Sequence, residues 1–130
     1  MIHRELYIGR WLIDFLFAEN RYDKEEVFYY LQDYDVQDKA LQRIEEIVED
    51  NENNTGFTYA DEKLYKAFVV IGPTDSGDEF INTVVHELYH LSVIIADNIG
   101  LDIRGEAPAY IIGDSARALA ETFCEFGCRE

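Results

Sequence analysis

A helix with a chemically active face is predicted by the stretch Thr83-Val84-Val85-His86-Glu87-Leu88-Tyr89-His90-Leu91. It contains the pattern His-Glu-x-x-His within an otherwise uncharged and mostly apolar run. Residues four apart on a helix lie about 40° apart around its axis and one turn along it, so His86 and His90 can direct their imidazoles at one point. Glu87 lies about 100° around the helix from His86, near enough to face a water molecule without binding an ion itself. The stretch therefore predicts a two-histidine metal clamp with a neighbouring general base.

The flanking residues indicate that this helix also has a buried face. Hydrophobic residues recur at helical spacing on the side opposite the histidines and predict a core-facing stripe of Val84, Leu88, Leu91, Ile95 and Ile99. The helix is expected to begin with Ser76 or Asp78 as its cap and to end at Gly100. In the alternative interpretation, the two histidines lie on a partly buried helix and form hydrogen bonds without binding a metal. The separate core stripe favours metal binding.

The chain before the motif predicts a mostly helical first half. Residues 5–18 are largely apolar without a period that separates helix from strand, so they are assigned only to the core. A short helix is predicted from Lys24, capped by Asp23, and a longer one over residues 37–50 has one apolar and one acidic face. Residues 1–50 are therefore interpreted as the helical N-terminal part of the domain.

The second half is predicted to combine a small sheet with two long helices. A turn rich in asparagine precedes strands that β-branched and aromatic residues predict over residues 57–59 and 65–71. A last helix is expected to begin near Glu106 and to run to about Phe126. The fold class is therefore α+β and helix-rich, with a small β-sheet packed on the motif helix within residues 56–128.

Length and composition point to one folded domain covering residues 1–130. Hydrophobic residues make up 48% of the chain, too much for a disordered acidic protein, so the acidic charge does not predict disorder. The formal net charge of −16 repels phosphate backbones and anionic membrane surfaces, which excludes nucleic acid and membranes as expected partners. Cys124 and Cys128 do not make the disulfide framework of a small secreted domain. They are interpreted as buried free thiols, and a cytoplasmic location is expected.

The motif and its uncharged flanks resemble the extended signature of the zincin metallopeptidases. The run Gly105-Glu106-Ala107-Pro108-Ala109-Tyr110 is similar to a pattern found in small zincin-like proteins of bacteria and their mobile elements. This resemblance covers roughly residues 56–128 and implies one zinc ion, bound by His86, His90 and a third ligand. In the gluzincin branch the third ligand is a glutamate from the following helix, so the resemblance implies Glu106.

The third ligand is also constrained by chain geometry, because a catalytic zinc takes three protein ligands. Asp97 is excluded, since it lies about 10 Å along the helix from His90. A tight antiparallel hairpin of two helices would place Asp114 level with His90, whereas a more extended connection would allow Glu106 to return to the site. Glu106 is preferred, and Asp114 stays open as the alternative.

The function implied by the resemblance is that of a zinc-dependent hydrolase, most specifically a metallopeptidase that uses Glu87 as general base. The expected partner is a peptide or protein substrate, for which the net charge favours a basic sequence, held along an exposed edge of strand 68–71. Two alternatives come from other classes of protein. One is a catalytically idle protein stabilised by zinc, and the other is an acidic interaction or inhibitor protein of a mobile element.

Overall fold

A mixed β-sheet with helices on both of its faces forms the framework of the protein. The computed structural model describes residues 1–127, and this part of the chain forms four strands and five helices. The strands are β1 (Ile2–Ile8), β2 (Trp11–Phe17), β3 (Gly56–Asp61) and β4 (Lys66–Ile71). The helices are α1 (Lys24–Leu31), α2 (Asp38–Glu49), α3 (Gly77–Asn98), α4 (Ala107–Ala118) and α5 (Ala120–Gly127). The α+β class predicted from the sequence is confirmed.

The sheet has the order β1-β2-β4-β3, so β1 and β3 are its edges. β2 runs parallel to β4, and the other neighbouring pairs are antiparallel. Two residues join β1 to β2, and the first of them, Gly9, has the positive φ of 57° that a type II′ hairpin loop requires at this position. The prediction that residues 68–71 offer an edge is wrong, because they belong to β4, which has a paired strand on each side.

Side chains of the central strands alternate between two hydrophobic cores, because successive residues of a strand face opposite sides of the sheet. On the side of α3, α4 and α5, these strands contribute Trp11, Ile13, Phe15, Phe17, Ala67, Val69 and Ile71. On the side of α1 and α2, they contribute Leu16, Phe68 and Val70. Both faces of β2 and β4 are therefore covered by helices.

The prediction of a helical N-terminal part is wrong for residues 2–17, which form the hairpin of β1 and β2. The missing period over residues 5–18 has a physical cause. β2 is buried on both faces, and such strands are apolar throughout instead of alternating. The two helices predicted after the hairpin are present as α1 and α2, and Asp23 caps α1 by accepting a hydrogen bond of 3.2 Å from the backbone N–H of Glu26.

α3 carries the motif and is held against the sheet by most of its predicted stripe. Its N-cap is Ser76, whose side-chain oxygen accepts a hydrogen bond of 3.2 Å from the backbone N–H of Glu79. Ile99 is 49% exposed, because it follows the last helical residue and Gly100, with φ of 79°, turns the chain away. The stripe residues that are buried as predicted are Val84, Leu88, Leu91 and Ile95.

The predicted last helix is divided into α4 and α5. The break falls at Leu119, which has non-helical φ and ψ of −101° and 10° and is buried in the core shared with α3. The interpretation of Cys124 as a buried thiol is wrong, because Phe123 and Phe126 take the core-facing positions of α5 and leave Cys124 exposed. Cys128 lies outside the described residues. None of the helices within residues 1–127 combines the length and the apolar composition that a membrane-spanning segment needs.

Tyr22 makes the stability of the fold decrease as the pH rises through the alkaline range. Its hydroxyl lies 3.2 Å from both the carbonyl oxygen and the side-chain oxygen of Thr55, and burial is the main reason why its pKa is raised to about 12. An unfolded tyrosine ionises near pH 10, so the unfolded state loses its proton first. The contribution of Tyr22 to the free energy of unfolding is therefore constant below about pH 10, falls by about 1.4 kcal/mol per pH unit between about pH 10 and pH 12, and changes no further once the folded state also ionises.

We expect the wild type to lose about 1.4 kcal/mol of unfolding free energy per pH unit relative to Tyr22→Phe between about pH 10 and pH 12. Phenylalanine cannot ionise, so the variant lacks this pH dependence. Urea denaturation at a series of pH values measures it. A difference between the two proteins that stays constant over this range would contradict the assignment.

Candidate metal centre

The imidazoles of His86 and His90 meet on the solvent side of α3. Their Nε2 atoms lie 3.1 Å apart, and their ring planes are inclined at 78°. The two residues are one helical turn apart, so the helix alone brings them together. Both residues are exposed, and 66% of the His86 side chain is open to solvent. The structure thus places the two sequence-predicted histidine ligands around one accessible point.

The spacing of the two nitrogens fits a pair of ligands on a single zinc ion. Imidazole nitrogens bind zinc at about 2.0–2.1 Å, and two of them at a tetrahedral angle lie about 3.3 Å apart. The observed separation of 3.1 Å is close to that value. The same distance also suits a hydrogen bond between the two rings, so the geometry allows either a hydrogen bond or a metal ion between the two nitrogens.

Glu87 is a buried carboxylate beside the histidine pair. Its side chain is 6% exposed, and its Oε2 atom lies 3.8 Å from Nε2 of His86. Its Oε1 atom accepts a hydrogen bond of 2.8 Å from the side-chain hydroxyl of Thr58 on β3. One carboxylate oxygen is therefore anchored by the edge strand, and the other lies on the side of the histidines.

The close packing of β3 on α3 depends on a glycine at the start of the strand. A Cβ atom at Gly56 would lie 2.6 Å from the carbonyl oxygen of Val70 and 3.1 Å from Cγ of Glu87. The first distance is too short for any side chain, so a larger residue would push β3 or Glu87 out of place. Gly56 thus permits the buried position of the carboxylate.

A shallow pocket of about 190 Å³ lies between the start of β3 and α3, and His86 and Glu87 contribute to its lining. Thr83 also lines it, and its buried hydroxyl has no hydrogen-bond partner among the described residues. A buried hydroxyl without a partner is unfavourable unless a small polar molecule such as water completes its hydrogen bonding. A larger cleft of about 600 Å³ lies around Pro73 and Asp75, but the histidines do not line it. The smaller pocket is therefore the one relevant to this site.

The third metal ligand is not brought to the histidines in the part of the chain that the structure describes. Glu106 is the exposed N-cap residue of α4. Asp114 lies further along α4 and forms an ion pair of 2.9 Å with Arg117. Neither carboxylate joins His86 and His90 in a group of described residues whose ligand atoms all lie within 4.8 Å of one another. The choice of Glu106 over Asp114 stays a prediction.

The site combines residues that the sequence pattern predicts with residues that it does not. His86, Glu87 and His90 belong to the motif, whereas Thr58 and Gly56 have no local signal and meet Glu87 only because β3 packs on α3. Comparison of the chain with protein-family models, with curated proteins and with solved structures found no match. The chemistry available at the site is that of two convergent imidazoles, one anchored carboxylate and an adjoining polar pocket.

Proposed function

We propose that the protein is a zinc-dependent hydrolase, specifically a metallopeptidase with a zincin-like arrangement of α3 against β3. His86 and His90 hold the ion in this proposal, with Glu106 as third ligand and Glu87 as general base. The observation that carries it is the 3.1 Å approach of the two Nε2 atoms beside a buried carboxylate. Burying a carboxylate costs hydration energy and contributes nothing to a helix whose only role is packing. The burial of Glu87 therefore favours a chemical role for this side chain.

Glu87 is suited to remove a proton from a water molecule that attacks the substrate. Zinc, when bound, supplies Lewis-acid chemistry that makes water easier to deprotonate and polarises a carbonyl group. The Oε1 atom of Glu87 is occupied by the hydrogen bond from Thr58, so Oε2, on the His86 side, is the oxygen that accepts the proton. Anchoring through Thr58 holds this acceptor in a fixed direction, which favours proton transfer.

Exposure of the histidines favours a catalytic over a purely structural use of zinc. Structural zinc sites are closed by four protein ligands, whereas catalytic sites keep one position open. His86 has 66% of its side chain open to solvent, so the point between the two imidazoles is accessible. A site of this kind has room for a water molecule and for a substrate.

Glu106 is not grouped with the histidines among the described residues, so acting as third ligand requires its side chain or the start of α4 to move towards them. The connection between α3 and α4 is exposed at every residue from 99 to 106, so it has little packing to lose when a bound ion draws it inward. Gly100 and Gly105 allow backbone changes that other residues resist. The ion pair of Asp114 with Arg117 is exposed and contributes little to stability, so it does not decide between the two carboxylates.

An extended peptide is the substrate that this face of the protein would hold. β3 is an edge strand next to α3, and an edge strand presents backbone groups with which an added strand can pair. Val85 and Tyr89, which neighbour the two histidines in the chain, are 53% and 55% exposed and offer contacts for apolar side chains. The net charge of −16 favours a basic segment.

His86→Ala and His90→Ala are each expected to remove about one equivalent of zinc per chain, because a single imidazole cannot hold the ion in place of two. The experiment uses protein without an affinity tag, loaded with zinc, dialysed and measured by elemental analysis and calorimetric titration. Tyr89→Ala is the matched control, since it changes an exposed neighbour on the same helix without removing a ligand. Unchanged zinc content in both histidine variants would refute the proposed site.

The same titration tests the third ligand. Glu106→Gln is expected to weaken zinc binding by at least about tenfold, whereas Asp114→Asn leaves it unchanged. The reverse result would assign the ligand to Asp114. If neither substitution changes the affinity, these two carboxylates are not ligands and the three-ligand catalytic site is refuted.

A further inference from the structure

A second group of metal-ligating side chains lies on the face of the sheet that is turned away from α3. His3 and Glu5 belong to β1 and Asp14 to β2, and one ligand atom of each lies within 4.8 Å of the others. In residues 1–127 this is the one group of three histidine, cysteine, aspartate or glutamate side chains that comes so close together. We propose that these three residues form a binding site for a divalent transition-metal ion, separate from the histidine pair on α3.

The pairing of β1 with β2 assembles this group. Glu5 and Asp14 are directly opposite each other in the antiparallel register, and His3 is opposite Leu16, two residues along. Because side chains alternate along a strand, all three ligand side chains share one face of the sheet. Like charges placed directly opposite each other on neighbouring strands destabilise the sheet. This register therefore favours a cation between Glu5 and Asp14.

Lysine and arginine do not supply that cation in the described part of the chain. Oδ1 of Asp14 lies 2.8 Å from Nε2 of His3, and neither Asp14 nor Glu5 forms an ion pair with a lysine or arginine among the described residues. The ammonium group of Lys66 lies over the ring of Tyr34, 4.9 Å from its centroid, and on neither carboxylate. Within residues 1–127, no lysine or arginine therefore balances these two carboxylates, which leaves room for a bound metal ion.

The surroundings of Asp14 hold its carboxylate in position for a ligand. Asp14 is 7% exposed, and its Oδ2 atom accepts a hydrogen bond of 2.8 Å from the hydroxyl of Tyr34. The same hydroxyl lies 2.8 Å from the carbonyl oxygen of Ala67 on β4, which fixes its place in the core. Oδ1 therefore remains on the side of His3. Metal-binding carboxylates are commonly oriented by hydrogen bonds of this kind.

His3 is oriented by an aromatic contact and lies in a negative environment. Its ring stacks on Tyr30 with centroids 4.3 Å apart, which directs Nε2 towards Asp14. One carboxylate oxygen of Glu5 and one of Asp14 lie within 4.8 Å of its ligand nitrogen. The local potential thus attracts cations to the point where the three ligand side chains meet.

The ligand set and its spacing suit a metal such as Mn²⁺ or Zn²⁺. One imidazole with two carboxylates is a mixed nitrogen and oxygen set, and ligands on adjacent octahedral positions at about 2.1 Å lie about 3 Å apart. The 2.8 Å between His3 and Asp14 is close to that value. Binding would replace the proton between them and would draw in Glu5, which is exposed on an edge strand and accessible from solvent. The ion would then link β1 to β2.

Mn²⁺ is the probe for this site, because the electron paramagnetic resonance signal of the free ion is lost on binding. The titration is made with protein lacking an affinity tag, both as wild type and as the double variant His86→Ala, His90→Ala, in which the pair on α3 is removed. Both proteins are expected to bind about one Mn²⁺ per chain at the β1–β2 site with equal affinity. Loss of this binding in the double variant would overturn the proposal, since the ion would then belong to α3.

Substitutions within the group complete the test. His3→Gln and Glu5→Gln are each expected to weaken Mn²⁺ binding at least about tenfold, and Glu45→Gln, which removes an exposed charge on α2, is expected to leave it unchanged. Glu5 is exposed, so its substitution does not depend on repacking the core, and circular dichroism checks the fold. Equal binding by Glu5→Gln, Glu45→Gln and wild type would overturn the proposal, because only general attraction to an acidic protein would remain.

Discussion

Glu87→Gln is expected to keep the fold and the zinc content but to lower peptide hydrolysis by about 10²- to 10⁴-fold. Glutamine has the size of glutamate, and its carbonyl oxygen can still accept the hydrogen bond from Thr58, so the side chain keeps its place beside His86. At neutral pH an amide cannot take a proton from water, and the loss therefore falls on the chemical step. The measurement is digestion of a peptide library by both proteins at matched zinc content.

Asp97→Asn is the matched control for this substitution. Asp97 is an exposed carboxylate on α3, so its change to an amide alters the charge of the same helix without touching the pocket. We expect it to cleave as the wild type does. Cleavage that survives Glu87→Gln would refute the role of Glu87 as base. A zinc-loaded wild type that cleaves nothing would refute the peptidase proposal and favour the idle zinc-stabilised protein.

α3 could be predicted from the sequence because two independent patterns coincide on it. The spacing of His86 and His90 fits one face of a helix, and the apolar stripe from Val84 to Ile95 fits the opposite face. Ser76 adds a capping signal where the helix begins. Local propensity, periodicity and capping agree here, which is the situation in which sequence patterns predict an element well.

The hairpin of β1 and β2 could not be predicted because its signals depend on distant partners. β2 is apolar on both sides only because α3 covers one face and α1 covers the other. Asp14 interrupts this run and looks unfavourable for a buried position. Its burial is explained only once Tyr34 and His3, from two other parts of the chain, are in place as hydrogen-bond partners.

The strand order is also a long-range property. β2 pairs in parallel with β4 although α1, α2 and β3 come between them in the chain. Parallel pairing needs a long crossover connection, and the residues of the strands do not specify which distant strand is the neighbour. For the same reason, the prediction from the sequence that residues 68–71 form an edge is wrong. The edge strand beside α3 is β3.

The candidate site was predictable to the extent that it lies within one helix. His86, Glu87 and His90 are separated by fixed helical spacing, so no tertiary information is needed to place them near one another. Thr58 and Gly56 meet Glu87 through the packing of β3 on α3, and residue type alone does not mark them. A third ligand from α4 depends on the connection over residues 99–106, whose conformation the sequence pattern does not determine.

Phe68→Ala is expected to reduce the free energy of unfolding by about 3–5 kcal/mol. Phe68 is fully buried on central strand β4, and its ring stacks on Tyr34 at 5.8 Å and meets Phe57 edge to face at 6.1 Å. Truncation removes buried apolar surface and leaves a cavity that the surrounding strands and helices cannot close fully. Domains of this size are stable by about 5–15 kcal/mol, so much of the total is lost.

Urea denaturation of the wild type, Phe68→Ala and Leu64→Ala measures this effect. Leu64 is 54% exposed in the turn between β3 and β4, so its truncation is expected to change stability by less than about 0.5 kcal/mol. Phe68 faces α1 and α2 rather than α3, so the folded fraction of Phe68→Ala should still bind zinc through His86 and His90. A loss below about 1 kcal/mol would contradict the position of β4 between two covered faces, because an exposed phenylalanine has little packing to lose.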